Sequence, residues 1–310
     1  MNIYISGSLA YDRIMDFPGY FHEHILPEKI HMINVSFTVN SMKEKFGGTA
    51  GNIAYNLRLL GEKPKVLATI GKDFSSYFQW FKLHDIETES IKIINNELTA
   101  GAYITTDKAD NQITGFNPGA MKFPSDFHFP LEEAAAIGLM GPGNLTDMIN
   151  FAKHYKANGI DCICDPGQSL PAWEPKALKE WIRGANILIT NDYEIELISK
   201  MTGIDRAGLL QFVPTIIVTL GEKGSLVFTA DGEIKIPAAR AKKVVDPTGA
   251  GDAYRAGLLK GLIAGKDIET AARMGAVTAV FAVEKHGTQE HHFKYERFLE
   301  RFRENFGKDL

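Results

Sequence analysis

Two cysteines in 310 residues are too few for a disulfide framework and leave too few thiolates for a structural zinc site. Both lie in the segment IDCICD. On a strand, Cys162 and Cys164 would share one face, and they read as small buried apolar residues because the CxxC spacing of a redox pair is missing. A basic excess is missing too. Lys and Arg number 34 against 38 Asp and Glu, a formal net charge of −4 with no basic stripe, so no nucleic-acid partner is expected. No apolar run approaches a membrane span; the longest nearly uninterrupted one covers 275–283. The start, MNIYISGS, has no basic segment followed by a long apolar stretch. No secretory signal is therefore expected, and a reduced, cytoplasmic setting fits the composition.

Several chemical signatures are also absent. No GxxxxGK[ST] occurs; the nearest stretch, GLIAGKD at 261–267, is one residue short and ends in Asp. No GxGxxG follows the first strand, which argues against a dinucleotide site. HExxH is missing, as is GxSxG at a strand-to-helix turn. The nine histidines are scattered, and the pair His291-His292 reads as a helix start on the surface, so no catalytic histidine is assigned.

What remains is an ordinary globular composition, 45% hydrophobic and 23% charged. The length suits two domains of about 150 residues, or one large α/β domain with a small appendage. β-Branched runs at 2–5, 65–70, 135–139, 160–164, 187–190 and 215–220 alternate with helical stretches at 50–60, 74–84, 147–158, 175–183 and 193–202. Gly61, Gly159 and Gly203 stand where helices end. This rhythm predicts a parallel sheet with helices on both faces, and ligands beyond the carboxyl ends of its strands. A hairpin at 225–229 and 233–236, then helices at 250–264, 268–284 and 292–305, complete the chain.

Two segments break the rhythm. Residues 33–40 alternate strictly, with Ile33, Val35, Phe37 and Val39 against Asn34, Ser36, Thr38 and Asn40, which predicts a half-buried strand. Residues 100–116 predict a hairpin turning at 107–111. Together they read as a small separate sheet whose polar face could close over the main domain as a lid.

The segment 244–260, VVDPTGAGDAYRAGLLK, carries the chemistry. Gly249 and Gly251 let the backbone turn sharply and approach a ligand closely. The first helical N–H groups lack internal partners, and with the helix dipole they form an anion site. Asp252 in that setting is suited to take a proton from an alcohol while the amides steady a phosphoryl group. The alternative is that Asp252 only caps the helix.

DPTGAGDAYRAG closely resembles the C-terminal signature of the ribokinase-like family, the pfkB carbohydrate and purine kinases. GGTAGNIAYNLRLLG at 47–61 resembles the N-terminal one. The resemblance implies a three-layer α/β/α sandwich with a mostly parallel central sheet and a small β-sheet lid. It implies one kinase domain over 1–310, with a discontinuous lid from about 13–45 and 98–118. Asp252 would be the general base, and Gly249, Ala250 and Gly251 the anion hole. Asn191 and Glu194 in NDYE would organise Mg2+ and phosphates, while Thr219, Gly221 and Gly224 in TLGEKG would border ATP. Asp246, Thr248 and the loop near His286 resemble a loop for a monovalent cation such as K+.

GSLAYD, DFPGYF, LPE, FNPGAM, TNDYE and HGTQE are similar to the bacterial adenosine kinase branch. Asp12 can accept from two neighbouring ribose hydroxyls at a strand end, Gly47 and Gly48 permit close approach, and Asn52 can bridge hydroxyls. Ser8 and Ser36 can reach the same face, Phe116 can stack on a purine, and Gln168 can address base or ribose. Two positions depart from that branch. Ala102 stands where an aromatic residue is expected, with Tyr103 facing the other way, and Ser169 replaces a glutamine. The expected reaction is ATP-dependent phosphorylation of a purine nucleoside at its 5′-hydroxyl, adenosine foremost. The alternatives are a sugar kinase acting on ribose, fructose or a related sugar, and a non-catalytic nucleoside-binding protein. Relatives are often dimers, so a homodimer is expected.

Overall fold

A computed structural model describes residues 1–131, 135–307 and 309–310. In chain order the first half runs β1 (Asn2–Ser6), β2 (Ala10–Asp16), β3 (Ser41–Gly47), α1 (Thr49–Leu59), β4 (Pro64–Gly71), α2 (Ser75–Leu83), β5 (Ile91–Ile94), β6 (Ala100–Thr106), β7 (Gln112–Asn117) and β8 (Ala136–Met140). Then come α3 (Leu145–Ala157), β9 (Asp161–Cys164), α4 (Pro175–Ile182), β10 (Ile187–Asn191), α5 (Asp192–Thr202), α6 (Arg206–Leu209), β11 (Thr215–Thr219), β12 (Ser225–Thr229) and β13 (Gly232–Ile236). Three helices, α7 (Ala250–Ile263), α8 (Ile268–Val283) and α9 (Tyr295–Phe306), complete the chain.

Nine strands form the central sheet in the order β13-β12-β11-β10-β9-β8-β1-β4-β5. All neighbours are parallel except the β11–β12 and β12–β13 pairs. Strand alternation sends Ile3 and Ile5 to one face and Tyr4 to the other. The first face packs on α1, α2, α7, α8 and α9 through residues such as Leu57, Phe81, Leu258, Val277 and Phe298. The second packs on α3, α4 and α5 through Phe151, Leu178 and Ile198, and includes Cys162 and Cys164. Both cysteines are free and buried. The three-layer sandwich expected from the alternation is the one observed. No helix among the described residues is long and apolar enough to cross a membrane.

A second sheet of four strands, ordered β3-β2-β6-β7, stands apart from the first, with free edges at β3 and β7. Its strand β2 starts after only three residues beyond β1, so the two sheets meet at the carboxyl end of β1. The hairpin at 100–116 is β6 and β7. The expected strand at 33–40 does not form. That segment belongs to no strand, and β3 begins at Ser41 instead. Burial alternates over 34–40, though Ile33 is exposed: Phe37 packs on Phe17 (4.7 Å between ring centroids) and Phe21 (5.1 Å), while Ser36 faces solvent. A period of two reports alternate burial; a ladder also needs a partner strand.

Candidate active site

The parallel strands β1, β8, β9, β10 and β11 end on one edge of the sheet, and α7 begins there. Gly249 is its N-cap, at φ 79°, a left-handed conformation that glycine adopts freely. A Cβ at Gly249 would lie 2.9 Å from Thr288 Cγ2, so glycine also keeps the loop at 286–291 close. Asp252 is the third residue of the helix and half-buried. The Ala250 N–H closes a turn onto the Pro247 carbonyl (3.2 Å), which weakens its assignment to the anion hole. Among the described residues none accepts from the Gly249, Gly251 or Asp252 N–H, as the start of a helix requires.

Burial pushes the Asp252 carboxyl up to about 6. Arg255 and the Asn52 amide hold it down, while Asp165 and Asp12 push it further up. Arg255, one turn along α7, reaches past Asp252 into a buried ion pair with Asp165 (Nε–Oδ2 2.5 Å, Nη2–Oδ1 2.8 Å). Neither Arg255 nor Asp165 was expected from the sequence. A strand ending in Asp-Pro-Gly and an arginine inside an apolar helix were the available signals.

The small sheet presents one row across its strands. Lys45 on β3 opposes Asp12, Asp12 opposes Ala102 on β6, and Ala102 opposes Phe116 on β7. Opposed residues share a face, so Asp12 and Phe116 look the same way with the small Ala102 between them. Tyr103 lies on the opposite face, where its hydroxyl accepts from Arg13 Nη1 (3.1 Å). Asp12 sits inside β2 rather than at a strand end. Burial, then the charge of Asp246, raises its carboxyl to about 6. A Cβ on Gly47 would fall 2.6 Å from Asp12 Oδ2, so the absent side chain makes room for that carboxylate. Phe116 is 52% exposed, a large aromatic surface left open on this face.

Other expected residues are partly engaged within the protein. Ser8 Oγ accepts from the Thr49 N–H (3.0 Å) and so caps α1 behind Gly48. Asn52, 4% exposed, donates from Nδ2 to Asp252 Oδ2 (2.8 Å), and its Oδ1 accepts from Gln289 Nε2 (2.9 Å). An amide has two donors and two lone pairs, so these bonds leave capacity for a sugar hydroxyl. Ser36, expected to reach this face from a lid strand, instead sits exposed on the strandless 33–40 segment. Gln168 is exposed in the turn after β9, and Ser169 beside it donates to the Pro166 carbonyl (2.6 Å).

At the next strand end, Asn191 Oδ1 accepts from the Glu194 N–H and Glu194 Oε2 accepts from the Asn191 N–H, both at 2.8 Å. This capping box starts α5. Burial raises the Glu194 carboxyl. Thr219 opposes Asn191 across β10 and β11, and Gly221 and Gly224 flank the turn after β11. Asp246 accepts from the N–H groups of Thr248 (2.9 Å) and Gly287 (3.0 Å), pinning the two loops together. Among the described residues, no group of three or more His, Cys, Asp and Glu could hold a metal alone. His291, expected on the surface, is buried: Nε2 meets Asn56 Oδ1 at 2.8 Å, and burial depresses its pKa to about 4.

A carboxylate beside unpartnered helix-start amides can deprotonate an alcohol next to a phosphoryl group, and that combination on this sandwich marks a phosphotransferase with an alcohol acceptor. The sequence model of the pfkB family carbohydrate kinases matches residues 12–293, and the chain belongs to that family. It is 36% identical over 276 residues to a nucleoside kinase of Methanocaldococcus jannaschii, covering 88% of this chain and 91% of the relative. The crystal structure of a Methanocaldococcus jannaschii nucleoside kinase has a TM-score of 0.89, with 33% identity and 98% and 99% coverage. Burkholderia thailandensis nucleoside kinase in complex with inosine also reaches a TM-score of 0.89, at 36% identity with 99% of each chain covered. The same kinase has been solved in complex with ADP-inosine.

Proposed function

We propose that this protein transfers the terminal phosphoryl group of ATP to the 5′-hydroxyl of a purine nucleoside, with Asp252 as general base. The observation that carries the reading is the alignment of Asp12 and Phe116 on one face of the small sheet, with Asp252 at the start of α7. A carboxylate that accepts from ribose hydroxyls and a ring that stacks on a base suit the two halves of a nucleoside. The nucleoside kinases that resemble this chain, one of them bound to inosine, support the same class.

In this reading the ribose lies between Asp12, Gly48 and Asn52, and the purine rests on Phe116. Asp252 takes the 5′-hydroxyl proton as the oxygen attacks phosphorus. The Gly249 and Gly251 amides receive the phosphoryl oxygens. Thr219, Gly221 and Gly224 border the nucleotide. Glu194 keeps a second carboxylate oxygen outside its cap, a donor set that fits Mg2+ brought in largely by phosphates and water rather than an all-protein cage. When bound, the ion would neutralise phosphate charge. The loops pinned by Asp246 are the place for a monovalent cation such as K+. The small sheet closes as the lid and excludes water.

Adenosine is the first substrate to test, with inosine beside it. ADP release measured with adenosine, inosine, guanosine, ribose and fructose 6-phosphate tests the reading. Turnover is expected with at least one purine nucleoside and little with the sugars. Faster turnover of ribose or fructose 6-phosphate than of every nucleoside would overturn it in favour of a sugar kinase.

A further inference from the structure

Asp252 lies at the end of a buried chain of side-chain hydrogen bonds, and the role of that chain rests on the reading of Asp252 as the base. Asn52 Nδ2 donates to Asp252 Oδ2 (2.8 Å), Gln289 Nε2 donates to Asn52 Oδ1 (2.9 Å), and Trp80 Nε1 donates to Gln289 Oε1 (2.8 Å). Gln289 Nε2 also donates to the Tyr77 hydroxyl (3.1 Å), which gives its own proton to the Gly47 carbonyl (2.6 Å). Asn52 and Gln289 are 4% and 2% exposed, so bulk water does not substitute for these partners.

A side-chain amide turned by 180° exchanges donor and acceptor at almost constant shape. Left alone, Asn52 would offer Asp252 either an N–H or a carbonyl oxygen, and the second would repel the carboxylate. An indole N–H, however, only donates. Trp80 therefore selects the orientation of Gln289 that presents Oε1 to it. Tyr77 enforces the same choice: its proton is committed to Gly47, so its oxygen accepts from Gln289. Gln289 then has only an N–H to offer Asn52, and Asn52 must turn its own N–H to Asp252.

We propose that Gln289 is a positioning residue for Asp252: oriented by Trp80 and Tyr77, its amide fixes Asn52 so that an N–H meets the base. The other titratable groups that act on Asp252 are Arg255 on the same helix, Asp165 after β9 and Asp12 on β2; Tyr77 lies across the network. Gln289 thus sets the protonation range of a base that it never touches.

Two variants test this by steady-state kinetics between pH 5 and 8, with ATP and the best purine nucleoside. Gln289→Met removes the donor without adding charge, and Gln289→Glu sets an acceptor against Asn52 Oδ1. Both are expected to move the acid limb of the kcat profile upward by about one pH unit and to lower kcat at pH 6 roughly fivefold, with the KM for ATP within about twofold of wild type. A limb that moves only in Gln289→Glu would mean that charge, not orientation, matters, and overturns the proposal. Unmoved limbs in both, with Asp252→Asn inactive, overturn it while leaving the base in place. Wild-type turnover in Asp252→Asn overturns the base reading and this one together. If thermal unfolding shows that the Gln289 variants do not fold, Trp80→Phe combined with Tyr77→Phe keeps an aromatic ring at each position and removes both orienting groups; the same upward shift supports the proposal, and an unmoved limb overturns it.

Discussion

As the proposed base, Asp252 combines two demands that usually conflict, since a base must be charged at working pH yet shielded enough to be basic. Its carboxyl, lifted to about 6 by burial, meets both at neutral pH. Below about pH 6 the group takes up its proton and can no longer accept one from the alcohol. The kcat profile should therefore fall on the acid side with a midpoint near pH 6. Asp252→Asn should lower kcat by about 10²–10⁴-fold with KM values little changed, as steady-state ADP release would measure. The role proposed for Phe116 is different, to stack on the purine. Stacking on a base is worth about 1–3 kcal/mol, so Phe116→Ala should raise the nucleoside KM roughly tenfold and leave the KM for ATP unchanged. An equal rise in both constants would place the ring elsewhere than under the purine.

Among the elements, the parallel strands were legible because burial on both faces turns them into short apolar runs such as ILIT in β10. The strands of the small sheet were less so. β3 reads SMKEKFG and has one fully buried residue, Gly47, so neither period nor hydropathy marks it. The 33–40 segment carried the stronger alternation and forms no ladder. The signature residues at 47–52 and 246–252 were legible as the start of two helices at one site, because glycines beside an Asp or Asn leave a local trace. The Arg255–Asp165 pair joins residues 90 apart, and the Trp80–Gln289 bond joins residues 209 apart; no local pattern encodes either. The start of α1 yields a test of its own. Gly48 has φ 89°, and a Cβ there would lie 2.6 Å from the Ser8 carbonyl oxygen, a backbone atom that cannot step aside. Gly48→Ala should cost about 1–3 kcal/mol of stability, read from urea unfolding.

For the molecule as a whole, one buried group works against stability in acid. His291 keeps a pKa of about 4 in the fold against 6.5 for the free side chain. Between those values the unfolded chain binds a proton that the folded chain refuses, so this group's contribution to stability falls as pH drops from 6.5 toward 4. The loss amounts to about 3 kcal/mol. Asp252 and Asp12, raised to about 6, act with the opposite sign, because the fold favours their protonated forms over the same range. The difference in unfolding free energy between wild type and His291→Asn, followed across pH 4 to 7, isolates the histidine. It should widen in the mutant's favour toward acid, and a constant difference would show that His291 is protonated in place.

The segment that holds His291 also carries Gln289 and Glu290, which reach back to Asn52 and Lys45 across 237 and 245 residues of chain. During synthesis the amino-terminal sheet and its helices can leave the ribosome and pack long before that segment exists. A nascent chain would then hold Asp12 and Asn52 in place with no finished machinery around them. The bonds that tie Asp252 to Asn52 and Asn52 to Gln289 can form only after synthesis has passed residue 289, so the site is completed late, around a sheet that is already in place.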